Sequence, residues 1–184
     1  MLIYTFDPQF TIAQIIGIVA TIICVLSFQI RSNKGFCLAQ CCCNALFAIH
    51  FFMLGAWASA IMNSICILRS VTYAFTKPMK YRILATTIFS ILFIAAIVLS
   101  IVVFKDVWYL AVLTGSASVV SSIAICTDNN KIIRWSQICY VSPCWLFNNA
   151  WVKSIGGIIT EGFNWVSSLI ALIRFYRKPG QGNE

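Results

Sequence analysis

Seven long apolar segments follow one another along the 184-residue chain, and short polar breaks separate them. They cover residues 10–30, 36–54, 57–76, 83–104, 108–126, 133–152 and 155–175. Each is close to the roughly 20 residues that a helix rising ~1.5 Å per residue needs to cross a ~30 Å hydrocarbon core. The pattern predicts an all-α fold, a polytopic membrane helix bundle of seven transmembrane helices.

The first three segments fall on the last three after a shift of about 98 residues, which carries Gly17 onto Gly115 and Asn63 onto Glu161. The fourth segment stays unpaired. After three crossings the chain would enter the second unit from the opposite side of the membrane, and the single helix between the units reverses this. Both units then have the same orientation, so the pattern predicts a 3+1+3 parallel repeat. Its parts are a first unit, a linker transmembrane helix, a second unit and a disordered tail, at residues 1–80, 81–106, 107–178 and 179–184.

Composition and charge agree with a membrane location. The chain is 60% hydrophobic and only 10% charged, whereas soluble domains carry about a quarter charged residues. In a soluble protein the net charge of +8 would suggest a nucleic-acid partner. Here the basic residues cluster in particular loops, so membrane lipid is the expected partner and nucleic acid is not expected. If the N-terminus lies outside the cell, Lys105 and Lys153 are the only basic loop residues on the outer side. The positive-inside rule therefore favours this N-out, C-in orientation. The ten residues then on the cytoplasmic side are Arg31, Lys34, Lys77, Lys80, Arg82, Lys131, Arg134, Arg174, Arg177 and Lys178.

Nine cysteines are present, including the run Cys41, Cys42 and Cys43, and most lie in the apolar segments. No CxxC pair occurs among them. Free cysteine behaves as a small hydrophobe, so the expected role is core packing. Neither a metal site nor a cofactor is predicted.

Polar residues deep in an apolar segment mark the candidate site, because such residues are costly in a membrane. Glu161 is followed by Asn164 and Trp165 at helical spacing, and its repeat partner is Asn63. These four residues are predicted to line one substrate-binding cavity, with Glu161 also coupling a proton to transport. The alternative is that Asn63 and Glu161 only hydrogen-bond helices to one another.

The sixth segment adds Trp145 and Asn148 as predicted substrate-binding residues, since an aromatic ring beside amides suits a small polar solute. Adjacent amides point about 100° apart on a helix, so only one of Asn148 and Asn149 can share the face of Trp145. Pro143 removes a backbone bond and is either a hinge or a kink without a moving role. The single histidine, His50, has three possible roles: an interfacial anchor, a hydrogen-bond donor between helices, or a proton relay.

Two further residues or segments have simpler expected roles. Arg69 lies near the inner end of the third segment and is expected to extend to the cytoplasmic surface, with pairing to Glu161 as the alternative. The fourth segment has only serine and threonine as polar residues, which is typical of a lipid-facing connector.

Several stretches resemble one family. They are His50 to Gly55, Ala58 to Asn63, Ser154 to Gly162 and Ile173 to Arg177. Together they resemble the YgjV family of bacterial inner membrane proteins, which implies a location in the inner membrane. The 3+1+3 plan is similar to that of the SWEET and PQ-loop transporters, although the Pro-Gln pair is absent and Gln29 follows Phe28 instead. That similarity implies transport of sugars, amino acids or related solutes.

The function predicted from the sequence is transport of a small polar solute by alternating access between the two units. The alternative is a receptor or structural membrane protein that transports nothing. No Walker loop, HExxH motif or Ser/His/Asp set is present, so no catalytic residue is assigned and an enzyme is not expected. The sequence leaves the solute, the direction of transport and the oligomeric state open.

Overall fold

A computed structural model of the chain describes residues 8–27, 33–76, 78–127 and 129–177. Apart from turns, these residues form eight α-helices and one π-helical turn, Gln137–Val141, between the sixth and seventh helices. The helices are α1 (Pro8–Ser27), α2 (Asn33–Met53), α3 (Trp57–Phe75), α4 (Met79–Val102), α5 (Trp108–Cys126), α6 (Asn130–Ser136), α7 (Ser142–Trp151) and α8 (Ile155–Arg177). Because α6, the π turn and α7 run on without a break, the described residues make seven helical rods. The predicted all-α fold is confirmed, while the predicted tail lies outside the described residues.

Four described helices, α1, α3, α4 and α5, are long and apolar enough to cross a membrane. A shorter apolar stretch, Leu38–Met53, lies within α2. Many large apolar side chains point outward from the bundle, among them Ile91 and Val102 on α4, which are 61% and 69% exposed. An apolar outer surface of this kind fits contact with lipid, so the protein is a multi-pass helical membrane protein; that all seven rods cross remains a prediction.

The turns between the rods use short, locally stabilised connections. α2 and α3 are joined through Gly55, whose φ of 71° favours glycine. The side chain of Asp106 accepts a hydrogen bond from the backbone N–H of Ala58 at 2.8 Å and so caps the start of α3. Asn129 caps α6 by accepting from Lys131 N at 2.9 Å. Tight turns of this kind make sequence neighbours antiparallel.

Six of the rods form a closed ring. Going round it, α1 contacts α2, α2 contacts α3, α3 contacts α5, α5 contacts the rod of α6 and α7, that rod contacts α8, and α8 contacts α1. α4 packs outside the ring against α3 and α5. Hydrogen bonds place the start of α1 beside the start of α8, with Gln14 Nε2 donating to Lys153 O at 2.8 Å. At the opposite end, Arg82 donates to Ile125 O at 2.7 Å.

Candidate functional site: a central polar cavity

A cavity of about 160 Å³ lies inside the six-rod ring. Every rod of the ring contributes to its wall, and none of the described residues that line it belongs to α4. Its polar and charged lining residues are Gln40, Asn44, Asn63, Arg69, Ser118, Ser121, Gln137, Asn149, Thr160, Glu161 and Asn164. The aromatic residues Phe47, Phe51 and Trp145 also line it. A polar chamber within an apolar bundle is therefore the strongest candidate for a binding site.

Glu161 on α8 presents its carboxyl group to this cavity. Its Oε2 accepts a hydrogen bond from Ser142 Oγ at 2.8 Å. Ser142 in turn accepts one from Gln137 Nε2 at 2.7 Å. Gln137 and Ser142 are five residues apart, a separation that the π turn brings together, so the wide turn helps to hold the carboxyl group in place.

Two amide oxygens of the cavity wall have no hydrogen-bond partner among the described residues, Asn149 Oδ1 and Asn164 Oδ1. Asn149 is only 2% exposed. It fits because Gly157 on α8 has no side chain: a Cβ there would lie 2.5 Å from the Asn149 amide. Since buried polar atoms are normally hydrogen-bonded, these two enclosed oxygens are acceptors that a solute donor could use after rotation of the amide side chains.

Arg69 on α3 supplies a positive charge to the cavity. Its Nη1 donates to Ser122 Oγ at 2.8 Å and to Ser118 O at 3.3 Å, both on α5. Its guanidinium carbon lies 5.8 Å from the centre of the Phe93 ring. α5 thus holds Arg69 beside the cavity, and neither of these hydrogen bonds goes to Glu161. That Arg69 extends to the cytoplasmic surface stays a prediction.

The cavity brings together four of the six predicted substrate-binding residues: Asn63, Glu161, Asn164 and Trp145. Asn63 also donates to Ser59 O of its own helix at 2.8 Å.

Trp165 does not face the cavity, which corrects the sequence-based expectation. It is 41% exposed, and its indole N–H donates to Ile138 O at 3.2 Å. The reason is angular. Four residues of α8 lie in the wall: Gly157, Thr160, Glu161 and Asn164. Viewed down the axis of α8, their mean direction is about 50° to one side of Glu161, whereas Trp165 points about 40° to the other side.

Asn148 also lies outside the cavity and is a second correction. It is 1% exposed and donates from Nδ2 to Ser59 Oγ at 2.9 Å, which ties α7 to α3. Asn149, four residues after Trp145, takes the place on the cavity wall. Only one of the two adjacent amides therefore shares the cavity face of Trp145, as predicted, but this residue is Asn149 and not Asn148.

Pro143 lies two residues after the end of the π turn, as the second residue of α7. The N–H of Ser142 bonds to Gln137 O, five residues back, so the turn is wider than an α-helical one. That Pro143 acts as a hinge remains a prediction.

His50 is completely buried between helices. Its Nδ1 lies 2.6 Å from Ala13 O, and its Nε2 lies 2.7 Å from Ser154 Oγ. Because a carbonyl oxygen can only accept, Nδ1 carries the proton and donates to Ala13. His50 therefore joins α1, α2 and the start of α8, which fits a hydrogen-bond role between helices and not an interfacial anchor.

Sequence reasoning missed Gln137 and Asn44 as lining residues. Gln137 is directed inward by the π turn, which nothing in the local residue types reveals. Asn44 directly follows the run Cys41 to Cys43 and donates to Ser70 Oγ at 3.3 Å. The signal for Asn44 is its position in the middle of an apolar segment, the same criterion that selects Glu161. Cys24, Cys43 and Cys66 pack in the hydrophobic core, as expected, and they also line the cavity.

Seven helical rods with an apolar exterior around a polar chamber define the class, a multi-pass helical membrane protein. Residues 11–179 match the family model of the YgjV proteins, described as bacterial inner membrane protein, and the chain belongs to this family. It is 25% identical over 175 residues to the inner membrane protein YgjV of Escherichia coli (strain K12), an alignment that covers 93% of this chain and 88% of that protein. No solved structure matches the chain. The bacterial inner membrane location expected from the resemblance is confirmed.

Proposed function

We propose that this inner membrane protein is a transporter that moves a small polar solute through the central cavity by alternating access. The observation that carries the proposal is the cavity wall itself. A carboxyl group and a guanidinium group, together with several amide side chains, line one cavity inside a helix bundle whose exterior is apolar. Polar groups at such a depth are costly and are typical of solute pathways.

The proposal includes the 3+1+3 parallel repeat, in which α1 to α3 correspond to α5 to α8. If the two units are exchanged, the order of helix contacts around the ring stays the same, because the α3–α5 contact takes the place of the α8–α1 contact. Gly55 and Lys153, which correspond under the shift of about 98 residues, both have positive φ, 71° and 57°. The cavity then lies between the units, where parallel-repeat transporters hold their solute.

Alternating access requires the two units to rock against each other around the cavity. The contact between α1 and α8 is very close, since a Cβ on Gly156 would lie 2.4 Å from the backbone of Gly17. Thr21 Oγ1 also donates to Gly156 O at 2.8 Å. Such a backbone contact can act as a pivot, and the π turn before Pro143 supplies a flexible point in the second unit.

We further propose that Glu161 takes up and releases a proton during transport. The other titratable or charged groups in the cavity wall are Arg69 and Cys66 on α3, Cys24 on α1 and Cys43 on α2. Arg69 is the only permanent charge among these residues. In reconstituted vesicles, Glu161→Gln should remove the pH dependence of solute flux while exchange continues. Flux and pH dependence both unchanged would leave Glu161 a structural residue.

The proposal is tested by solute release. Vesicles containing the purified protein are loaded with a bacterial metabolite extract, and the solutes lost from them are identified by mass spectrometry. We expect selective loss of a small polar solute. Ser121→Trp, which fills the cavity from α5, should abolish the loss, whereas Ile123→Trp, on a 52% exposed position of the same helix, should not. Equal retention of every solute by protein vesicles and empty vesicles would contradict transport.

A further inference from the structure

The cavity wall has a cationic side and an acceptor side, and this asymmetry constrains the solute. We infer that the central cavity binds a small zwitterion, an amino acid of modest size, with its carboxylate at Arg69 and its ammonium group at Glu161, Asn149 and Asn164. The inference rests on the proposed function, because it names the substrate class of the same cavity.

Arg69 provides the cationic side. Both hydrogen bonds that it makes to described residues use Nη1. A guanidinium group carries five N–H donors in a planar fork that matches the two oxygens of a carboxylate. Since α5 holds one edge of the group, the fork is positioned before any solute binds.

The acceptor side lies on α7 and α8. Glu161 contributes a carboxyl group held by Ser142 at 2.8 Å. Asn149 Oδ1 and Asn164 Oδ1 contribute two amide oxygens that have no donor among the described residues. An ammonium group has three N–H donors. It can pair with the Glu161 carboxylate, and rotation of the two enclosed amide side chains would bring their oxygens to it as further acceptors.

Arg69 and Glu161 belong to different walls, since Arg69 is held by α5 and Glu161 by Ser142 on α7. Neither is bonded to the other in the described structure. Buried charges are normally paired, because an unpaired charge in a low-dielectric site is costly. A zwitterion pairs both groups at once and adds no net charge to the site.

Other solute classes fit less well. A carboxylate without an amine satisfies Arg69 but leaves the three acceptors without a cation, and an amine without a carboxylate does the reverse. A neutral sugar offers hydroxyl groups to both walls but pairs neither charge. The cavity volume of about 160 Å³ restricts the solute to a small molecule.

Thermal unfolding of the protein in lipid nanodiscs tests the inference, because a ligand that binds the folded state raises the unfolding midpoint. The probes are each standard amino acid, glycolate as the carboxylate alone, ethanolamine as the amine alone, and glucose. We expect at least one small amino acid to raise the midpoint and the other three probes to have no effect. Titration of that amino acid then gives its affinity.

Variants of the cavity residues identify the side chains that bind the amino acid. Arg69→Gln and Glu161→Gln should each weaken binding about tenfold or more, since each removes a charge-assisted hydrogen bond. Lys80→Gln, at an exposed position on α4 outside the ring, is the matched loss of charge and should have no effect. If Arg69→Gln does not fold, Arg69→Lys decides the point: it keeps the charge but lacks the fork and should bind more weakly than the unchanged protein.

The inference is overturned if no amino acid raises the midpoint, or if glycolate, ethanolamine or glucose raises it as much. Normal affinity in the Arg69 and Glu161 variants would also overturn it. These outcomes are separate from failure of transport. Selective release of a solute that is not a zwitterion would leave the proposed function standing without the inference, and amino acid binding without release would do the opposite.

Discussion

At the scale of single residues, glycine positions decide how closely the helices approach. Gly156 and Gly17 bring the backbones of α8 and α1 together, and Gly157 leaves room for Asn149. Small residues at helix contacts are typical of membrane proteins, where close packing replaces the hydrophobic drive between helices. The cavity therefore depends on glycines, which let the helices pack closely, as well as on polar side chains.

We expect Gly156→Ala to destabilise the protein by about 1–3 kcal/mol, as overpacking does, because the new Cβ would meet the Gly17 backbone. Thermal unfolding in nanodiscs measures the change. Gly162→Ala is the matched control on the same helix, since no heavy atom lies within 4 Å of a Cβ at Gly162. It should be neutral or stabilising by up to about 1 kcal/mol, because alanine favours a helix more than glycine does. Equal destabilisation by both would show that the close contact is not formed.

The two tryptophans predicted to bind solute should behave differently. Trp145 lines the cavity, whereas Trp165 is 41% exposed and points away from it. Trp145→Ala should lower the rate of solute release from vesicles severalfold, while Trp165→Ala should leave it nearly unchanged. A larger effect at Trp165 would contradict the assignment of the cavity wall.

At the scale of helices, the sequence specifies the rods well and their internal details poorly. Apolar segments bounded by turns such as Gly55 and Lys153 predict the rods to within a few residues; α2, for example, begins at Asn33 where residue 36 was expected. The angular position of Trp165 could not be predicted, because it depends on how α8 is rotated against α7 and α1. The position of Gln137 depends on the π turn. Both follow from packing between rods, which residue types along one helix do not record.

The π turn yields a prediction of its own. In Pro143→Ala the restored backbone N–H and the lost ring allow a regular α-helix, which should be more stable by up to about 3 kcal/mol. Conversion of the π turn to a regular α-helical turn would rotate α6 against α7 by about 100° and separate the side chain of Gln137 from that of Ser142. Solute release should therefore fall while the unfolding midpoint stays the same or rises. Pro78→Ala, at the N-cap of α4, is the control and should leave release unchanged; unchanged release in Pro143→Ala would remove the hinge role.

At the scale of the whole molecule, the ring of six rods with α4 outside is what the 3+1+3 proposal requires. The unequal distribution of basic residues between the two faces favours an N-terminus outside and a C-terminus in the cytoplasm. A reporter fused after Pro179 should therefore be active only in its cytoplasmic form. A periplasmic C-terminus would contradict this orientation.

The central claim, that the cavity opens to each side of the membrane in turn, is tested most directly by the accessibility of Cys66. This thiol lines the cavity from the middle of α3 and is 7% exposed. A small charged methanethiosulfonate reagent that does not cross the bilayer is applied to right-side-out and to inverted vesicles, and labelling is read by peptide mass spectrometry. Cys42, on the exposed face of α2, is the control and should be labelled from neither side because lipid covers it. The account predicts labelling of Cys66 from both sides, whereas labelling from one side only, or from neither, would contradict it.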